Sequence, residues 1–188
     1  MKNINLNALF ESYLETMDKD RIETNNCILV AHVVNSILLK QNINSEIAIG
    51  YACWSVGTGN NDILTHLPNS TTHSDEENSI MIHAWVEVGI EKQILDFTTY
   101  QFRKKAEILD AIDGLITNIE WCPNYLLSGQ DKLKSLREIQ QSESAGLYGY
   151  ERVKYYEDSI INQSPYSESR INKIVKDILA LYTKSEKR

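Results

Sequence analysis

Ile80-Met81-Ile82-His83-Ala84-Trp85-Val86-Glu87-Val88, then Gly89-Ile90, then Glu91-Lys92-Gln93-Ile94-Leu95-Asp96-Phe97 reads as two β-strands joined by a tight turn. Gly89 at the first central position suits a two-residue type II′ turn. That register pairs Val88 with Glu91, Glu87 with Lys92, Trp85 with Ile94 and His83 with Asp96. The facing opposite charges of Glu87 and Lys92 support it. His83 and Asp96 then lie side by side on the face that carries Trp85. A turn longer by one residue at each end would keep both on one face, because strand side chains alternate with period two.

Upstream, Thr24-Asn25-Asn26-Cys27 opens an apolar run. Ile28, Leu29, Ala31, Val33, Val34, Ile37, Leu38 and Leu39 leave little polar surface, which predicts a central, buried helix from Cys27 to about Gln41. Thr24, Asn25 and Asn26 are all good N-cap types, so Cys27 falls in the first turn. There, unpaired N–H groups and the positive end of the helix dipole favour a thiolate. A cysteine, then a histidine, then an aspartate is the order of a thiol nucleophile, its general base and the carboxylate that orients the base. His83 would take the thiol proton and return it to the leaving group, while Asp96 fixes the imidazole tautomer. The backbone N–H of Cys27 is a natural oxyanion donor. Asn25 or Asn26 is a candidate second donor, or simply a helix cap. Cys53 and Cys122 read as small buried hydrophobes.

Cys27 opening its helix, a following strand with Gly50-Tyr51, His83-Ala84-Trp85-Val86-Glu87-Val88, and Leu95-Asp96-Phe97-Thr98 together resemble the transglutaminase-like superfamily. The stretch that carries the resemblance runs from about Thr24 to Thr99. The resemblance implies an α+β, papain-like fold in which the cysteine helix packs on an antiparallel sheet carrying His and Asp. It also implies Cys27, His83 and Asp96 as the triad. The superfamily includes proteases, deamidases, crosslinking transferases and glycan-releasing amidases. The expected activity is therefore attack on an amide or peptide carbonyl through a thioester, with a protein or peptide as substrate and no cofactor. Hydrolysis is favoured over amine transfer because water is always present. The opposing reading is a silent binding or regulatory protein on the same fold.

Elsewhere, Leu6, Leu9, Phe10, Tyr13, Leu14 and Met17 mark an amphipathic helix from about Asn5 to Lys19. Glu46 to Trp54 reads as a strand. Gly57 to Ser79 is a long polar stretch, a functional lid or a mobile insertion, and with Trp54 and Trp85 it is the candidate for shaping access to the thiol. Beyond Tyr100 the expectations are a short helix at Lys104–Asp113, a strand at Leu115–Cys122, a polar helix from Asp131 to Ser144, another from Tyr150 to Ile161, and a last helix after Ser164-Pro165. The whole reads as a single domain over 1–188, with a catalytic core at 24–99 and a mainly helical extension at 100–188.

At 188 residues and 42% hydrophobic, the chain is long enough to bury a real core. A formal net charge of -7 argues against a nucleic-acid surface, which needs clustered Lys and Arg. No run approaches the roughly 20 apolar residues of a membrane span, and the first residues lack a signal peptide's apolar core. Three cysteines without CxxC spacing fit a reducing cytoplasm. A metal site from His66, His73, His83 and carboxylates has no HExxH or CxxC support, and His32 reads as a packed residue. No motif encodes an oligomeric state.

Overall fold

A computed structural model describes residues 4–19, 26–66, 82–162 and 166–186. The chain is α+β. An antiparallel sheet of six strands carries a layer of helices on one face and a smaller aromatic cluster on the other.

The helical layer forms where the sequence has strong 3.6-residue periodicity. α1 (Leu6–Lys19) buries Leu9, Phe10, Tyr13 and Met17. α2 (Cys27–Lys40) buries seven of its apolar residues. These pack with Ile174, Val175 and Ile178 of α6 (Glu168–Ser185) over Ile49, Ala84, Val86, Val88 and Leu95 of the sheet. Non-directional burial of this kind supplies most of the folding free energy, at about 25 cal/mol per Å². The α6 N-cap is Ser167, whose side chain accepts from the Arg170 N–H, a cap type strong enough to set the helix start.

β1 (Ser45–Ser55) is the organising strand. Gly50 pairs with both His83 and Arg152, so β3 (His83–Val88) and β6 (Tyr148–Arg152) lie on opposite edges of it. Ala52, Cys53 and Trp54 pair with β6 on one side and with β2 (Ile63–His66) on the other. β2 and β3 therefore lie end to end along one edge of β1. β4 (Gln93–Asp96) follows β3, and β5 (Leu126–Ser128) follows β4.

The β3–β4 hairpin has a turn longer than the two-residue one expected, extended on the β4 side alone. Val88 pairs with Gln93, Glu87 with Ile94 and Val86 with Leu95, leaving 89–92 as a four-residue connection. Gly89 (φ 73°) and Lys92 (φ 50°) both take left-handed backbone, and the Lys92 N–H donates to the Gly89 carbonyl at 3.2 Å. From the turn, Lys92 reaches Glu46 at 3.0 Å and Glu87 at 3.3 Å. The expected Glu87–Lys92 attraction exists, but not as a cross-strand pair. Continuing the register puts Trp85, not His83, opposite Asp96, with His83 one step along the same face.

Several expectations beyond Gly57 are corrected. Part of the polar stretch forms β2, closed back on β1 by Asp62, whose carboxylate accepts from the Gly59 N–H at 2.8 Å; residues 67–81 lie outside those described. No strand forms at Leu115–Cys122. Thr117 and Asn118 give their N–H groups to the Asp110 and Asp62 carboxylates, so these donors are spent on side chains rather than a ladder. The polar helix at 131–144 shrinks to α4 (Leu136–Gln140), started by a capping box between Ser135 and Glu138. Residues 150–161 divide into β6 and α5 (Lys154–Asn162). The region after residue 100 is mainly helical but also supplies β5 and β6 to the sheet, and α3 (Phe102–Asp113) packs Phe102 and Ala106 with Ala52 and Trp54.

β6 can approach β1 because Gly50 has no side chain. A Cβ there would run into the Glu151 carbonyl and come within 2.9 Å of the Val153 nitrogen. Arg152 then locks the strand, bonding Glu46 at 2.8 Å, Glu87 at 2.7 Å and also Glu157. Gly50→Ala should destabilise the fold by about 1–3 kcal/mol, the usual cost of overpacking, read as a lower urea midpoint. An unchanged midpoint would mean that β6 does not need this close approach.

Candidate functional site

Asp96 ends β4 with its carboxylate 1% exposed, a placement that is costly for a charge unless it is fully paired. It is. Oδ1 accepts from the Thr98 N–H at 2.8 Å and the Thr98 hydroxyl at 2.7 Å. Oδ2 accepts from the Tyr150 hydroxyl at 2.8 Å and lies 2.7 Å from His83 Nε2. The Tyr150 oxygen in turn accepts from Trp54 Nε1 at 2.8 Å, giving a buried chain from Trp54 through Tyr150 and Asp96 to His83.

His83 opens β3 and is fully buried. With Nε2 on Asp96, Nδ1 makes no conventional hydrogen bond among the described residues and is the nitrogen placed to serve the thiol. Cys27, half-buried at the start of α2, interacts with this imidazole and with the backbone of Ala84. Burial pushes the Cys27 thiol up, but the His83 hydrogen bond and charge, then the Lys105 charge and the Ala84 backbone, bring it below its ordinary value. Burial pushes His83 down; the Asp96 charge and hydrogen bond, then Cys27, raise it to about 9. Burial pushes Asp96 up, yet the His83 charge and hydrogen bond and the two Thr98 donors hold it at about 2. All three directions favour a thiolate–imidazolium pair backed by a carboxylate. Burial, then the Asp96 charge, keeps the Tyr150 phenol well above its ordinary value, so it remains a donor.

The structure brings Cys27, His83 and Asp96 together. Asn26 occupies the N-cap position but its side chain does not cap the helix; the residue is 6% exposed, and among the described residues neither Oδ1 nor Nδ2 has a partner. Asn25 lies outside the described residues. Trp54 and Trp85, expected to shape access, are instead core residues, 0% and 1% exposed. The Trp54 ring meets His83 edge-on at 5.0 Å and Trp85 stacks on it at 6.2 Å. They wall the imidazole because even-numbered β1 residues and odd-numbered β3 residues share one face.

Three contributors were not identified from sequence. Tyr150 was hidden by a helical reading of its segment; the alternation Tyr148, Tyr150, Arg152 is the signal for it. Lys105 falls on the apolar stripe Phe102, Lys105, Ala106, Leu109, with spacing of three, four and seven, and is 8% exposed. A lysine on such a stripe is itself a signal. His66, at the end of β2, lies with its ring 5.1 Å from that of His83. Its Nε2 is 2.6 Å from Lys105 Nζ. His73 lies outside the described residues, among which no group of three metal-ligating side chains gathers, and no helix there is long and apolar enough to cross a membrane.

No family model matches the chain, and no curated protein matches it. Among solved structures, it is similar to a crystal structure described only as a genomics target, with a TM-score of 0.56, 10% identity, and coverage of 92% of this chain and 76% of that one. At that identity the likeness is one of fold.

His83, with its folded value raised, contributes stability that is complete below about pH 6.5 and is lost as pH rises through about 9. Asp96, with its value depressed, contributes above about pH 3.9 and is lost as pH falls toward about 2. Urea midpoints should therefore decline from pH 6.5 to 9, and the decline should shrink in Asp96→Asn, whose imidazolium has lost its anion. Equal alkaline slopes in the two proteins would show that the pair is not the source. Tyr150→Phe removes a hydrogen bond to a charged group and should cost about 1.5–3 kcal/mol by the same assay.

Proposed function

We propose that the chain is a thiol-dependent acyl-transfer enzyme on a papain-like, transglutaminase-like core. The observation that carries this reading is the coupled set Cys27, His83 and Asp96, in which Nε2 is committed to the carboxylate and the thiol and imidazole shift one another toward the ion pair.

In the proposed reaction the Cys27 thiolate attacks an amide or peptide carbonyl carbon. The tetrahedral oxyanion takes hydrogen bonds from the Cys27 backbone N–H, a first-turn donor with no intrahelical acceptor, and from Asn26 Nδ2, which has no partner among the described residues. As the C–N bond breaks, the His83 Nδ1 proton passes to the leaving amine, and a thioester remains on Sγ. Water then attacks the thioester, its proton returns to His83, and the acid and free thiolate are released. Asp96 holds the tautomer and the cation throughout without changing protonation. Hydrolysis makes this a cysteine protease or deamidase acting on a protein or peptide. All three cysteines are free, which suits a reducing compartment such as the cytoplasm.

Cysteine-resolved alkylation by mass spectrometry tests the reading. Cys27 should react below pH 8, ahead of Cys53, which burial pushes up to about 11, and ahead of Cys122. His83→Ala should slow Cys27 acylation by an activated ester about 10²–10⁴-fold, the usual worth of a positioned general base, and Cys27→Ala should abolish it. A folded protein whose Cys27 is inert, or indifferent to His83, would leave the binding-protein reading in its place.

A further inference from the structure

Lys105 is the feature that the triad leaves unexplained. Its side chain reaches from α3 into the interior, and its ammonium donates to His66 Nε2 at 2.6 Å and sits 5.3 Å from the centre of the Trp54 ring. Buried lysines normally pair with carboxylates. Among the described residues this one bonds only a histidine, and that histidine is neutral. Burial, then the charges of Lys105 and His83, push the His66 imidazole well below its ordinary range, against the bond it makes to the Ile82 backbone. His66 holds the ammonium in place without cancelling its charge. The same ring lies 5.1 Å from that of His83 and 5.7 Å from that of Trp54, so the ammonium stands against the cluster that surrounds the imidazole. Burial pulls the Lys105 ammonium below its ordinary value, and the charges of Cys27 and Asp96, which it faces, oppose that fall.

We propose that Lys105, clamped by His66, is a positioning residue that keeps the Cys27 sulfur anionic and the site electrically balanced through acyl transfer. This rests on the thiol-enzyme reading above. At rest, thiolate and Asp96 carry two negative charges against the two positive charges of imidazolium and Lys105. In the tetrahedral intermediate the substrate oxyanion replaces the thiolate and the balance is unchanged. After His83 gives up its proton, Asp96 and Lys105 still cancel. Without Lys105 every one of these states carries an uncompensated negative charge in a site largely closed to water, where such charges act strongly. The state that suffers first is the thiolate, which would recover its proton. His66 serves by aim: its other face is tied to the Ile82 backbone, one residue before the general base, so clamp and base share a strand entrance.

The test is the pH profile of Cys27 alkylation by iodoacetamide in the full chain, for wild type, Lys105→Met, Lys105→Arg and His66→Gln. Lys105→Met should move the profile to higher pH, with the rate on its acid limb about tenfold lower, while its unfolding midpoint is kept or raised because methionine suits the apolar slot. Lys105→Arg should restore most of the rate, and His66→Gln, which keeps the charge but loosens its aim, should fall between. A folded Lys105→Met protein with the wild-type profile overturns the proposal. Should that variant not fold, the wild type answers the question by reciprocity: carbamidomethylation of Cys27 should move the Lys105 ammonium titration, followed by NMR, to lower pH, and no movement overturns the proposal. A wild-type Cys27 with the profile of an ordinary thiol overturns the enzyme reading itself. That result is distinct from a reactive Cys27 indifferent to Lys105, which defeats the Lys105 role alone.

Discussion

The Asp96 carboxylate is a full charge placed where water does not reach, and the surrounding structure is arranged to make that tolerable. Its donors come from three places far apart in the chain: the turn at Thr98, the start of β3 and the middle of β6. None of these bonds can be lost cheaply, because a buried carboxylate with a missing partner costs far more than the bond contributes when made. The carboxylate therefore acts as a geometric reference. Once β4 ends at Asp96, the imidazole plane, the Tyr150 hydroxyl and, through it, the Trp54 indole all have fixed positions. An imidazole held this way is preorganised, its ring plane and tautomer fixed by its neighbours.

β6 gives the same face of the sheet two polar anchors. Tyr150 and Arg152, two residues apart, project to one side of the strand. Tyr150 meets the site carboxylate, and Arg152 meets Glu46, Glu87 and Glu157. The Arg152 and Lys92 hydrogen bonds, then their charges, hold Glu46 at about 2 against its modest burial. The chain after residue 100 is consequently part of the site's architecture and of the sheet's cohesion. Both depend on one position, Gly50, where two backbones come together.

The elements most legible in the sequence were those whose pattern is local and strong: the apolar stripes of α1 and α2, the long strand β1 and the β3–β4 hairpin. Cys27, His83 and Asp96 stood out because order along the chain and strand parity are preserved even when a turn length is misjudged. The hairpin register shifted by two residues, Val88 pairing with Gln93 rather than Glu91, because the Gly89 signal is compatible with more than one turn, and the left-handed Lys92 that settles it has no local signature. β6 was missed because its alternation is short and rich in tyrosine, and its stability comes from pairing with a strand about a hundred positions earlier. Lys105 was passed over because a lysine in a helix is usually solvated, and His66 was weighed only as a metal ligand. Their burial depends on long-range packing around Trp54. Trp54 and Trp85, expected to shape access to the thiol, lie buried against the His83 ring.

The end-to-end placement of β2 and β3 along one edge of β1 has a consequence for the two histidines at their junction. β1 alone spans the junction: Gly50 pairs with His83 and Ala52 with His66, which brings the two imidazole rings to 5.1 Å. Their spacing is therefore a property of one strand's ladder. An extra residue between Gly50 and Ala52 would bulge that strand and move one imidazole against the other, so this short span is where a change in length would reshape the pair.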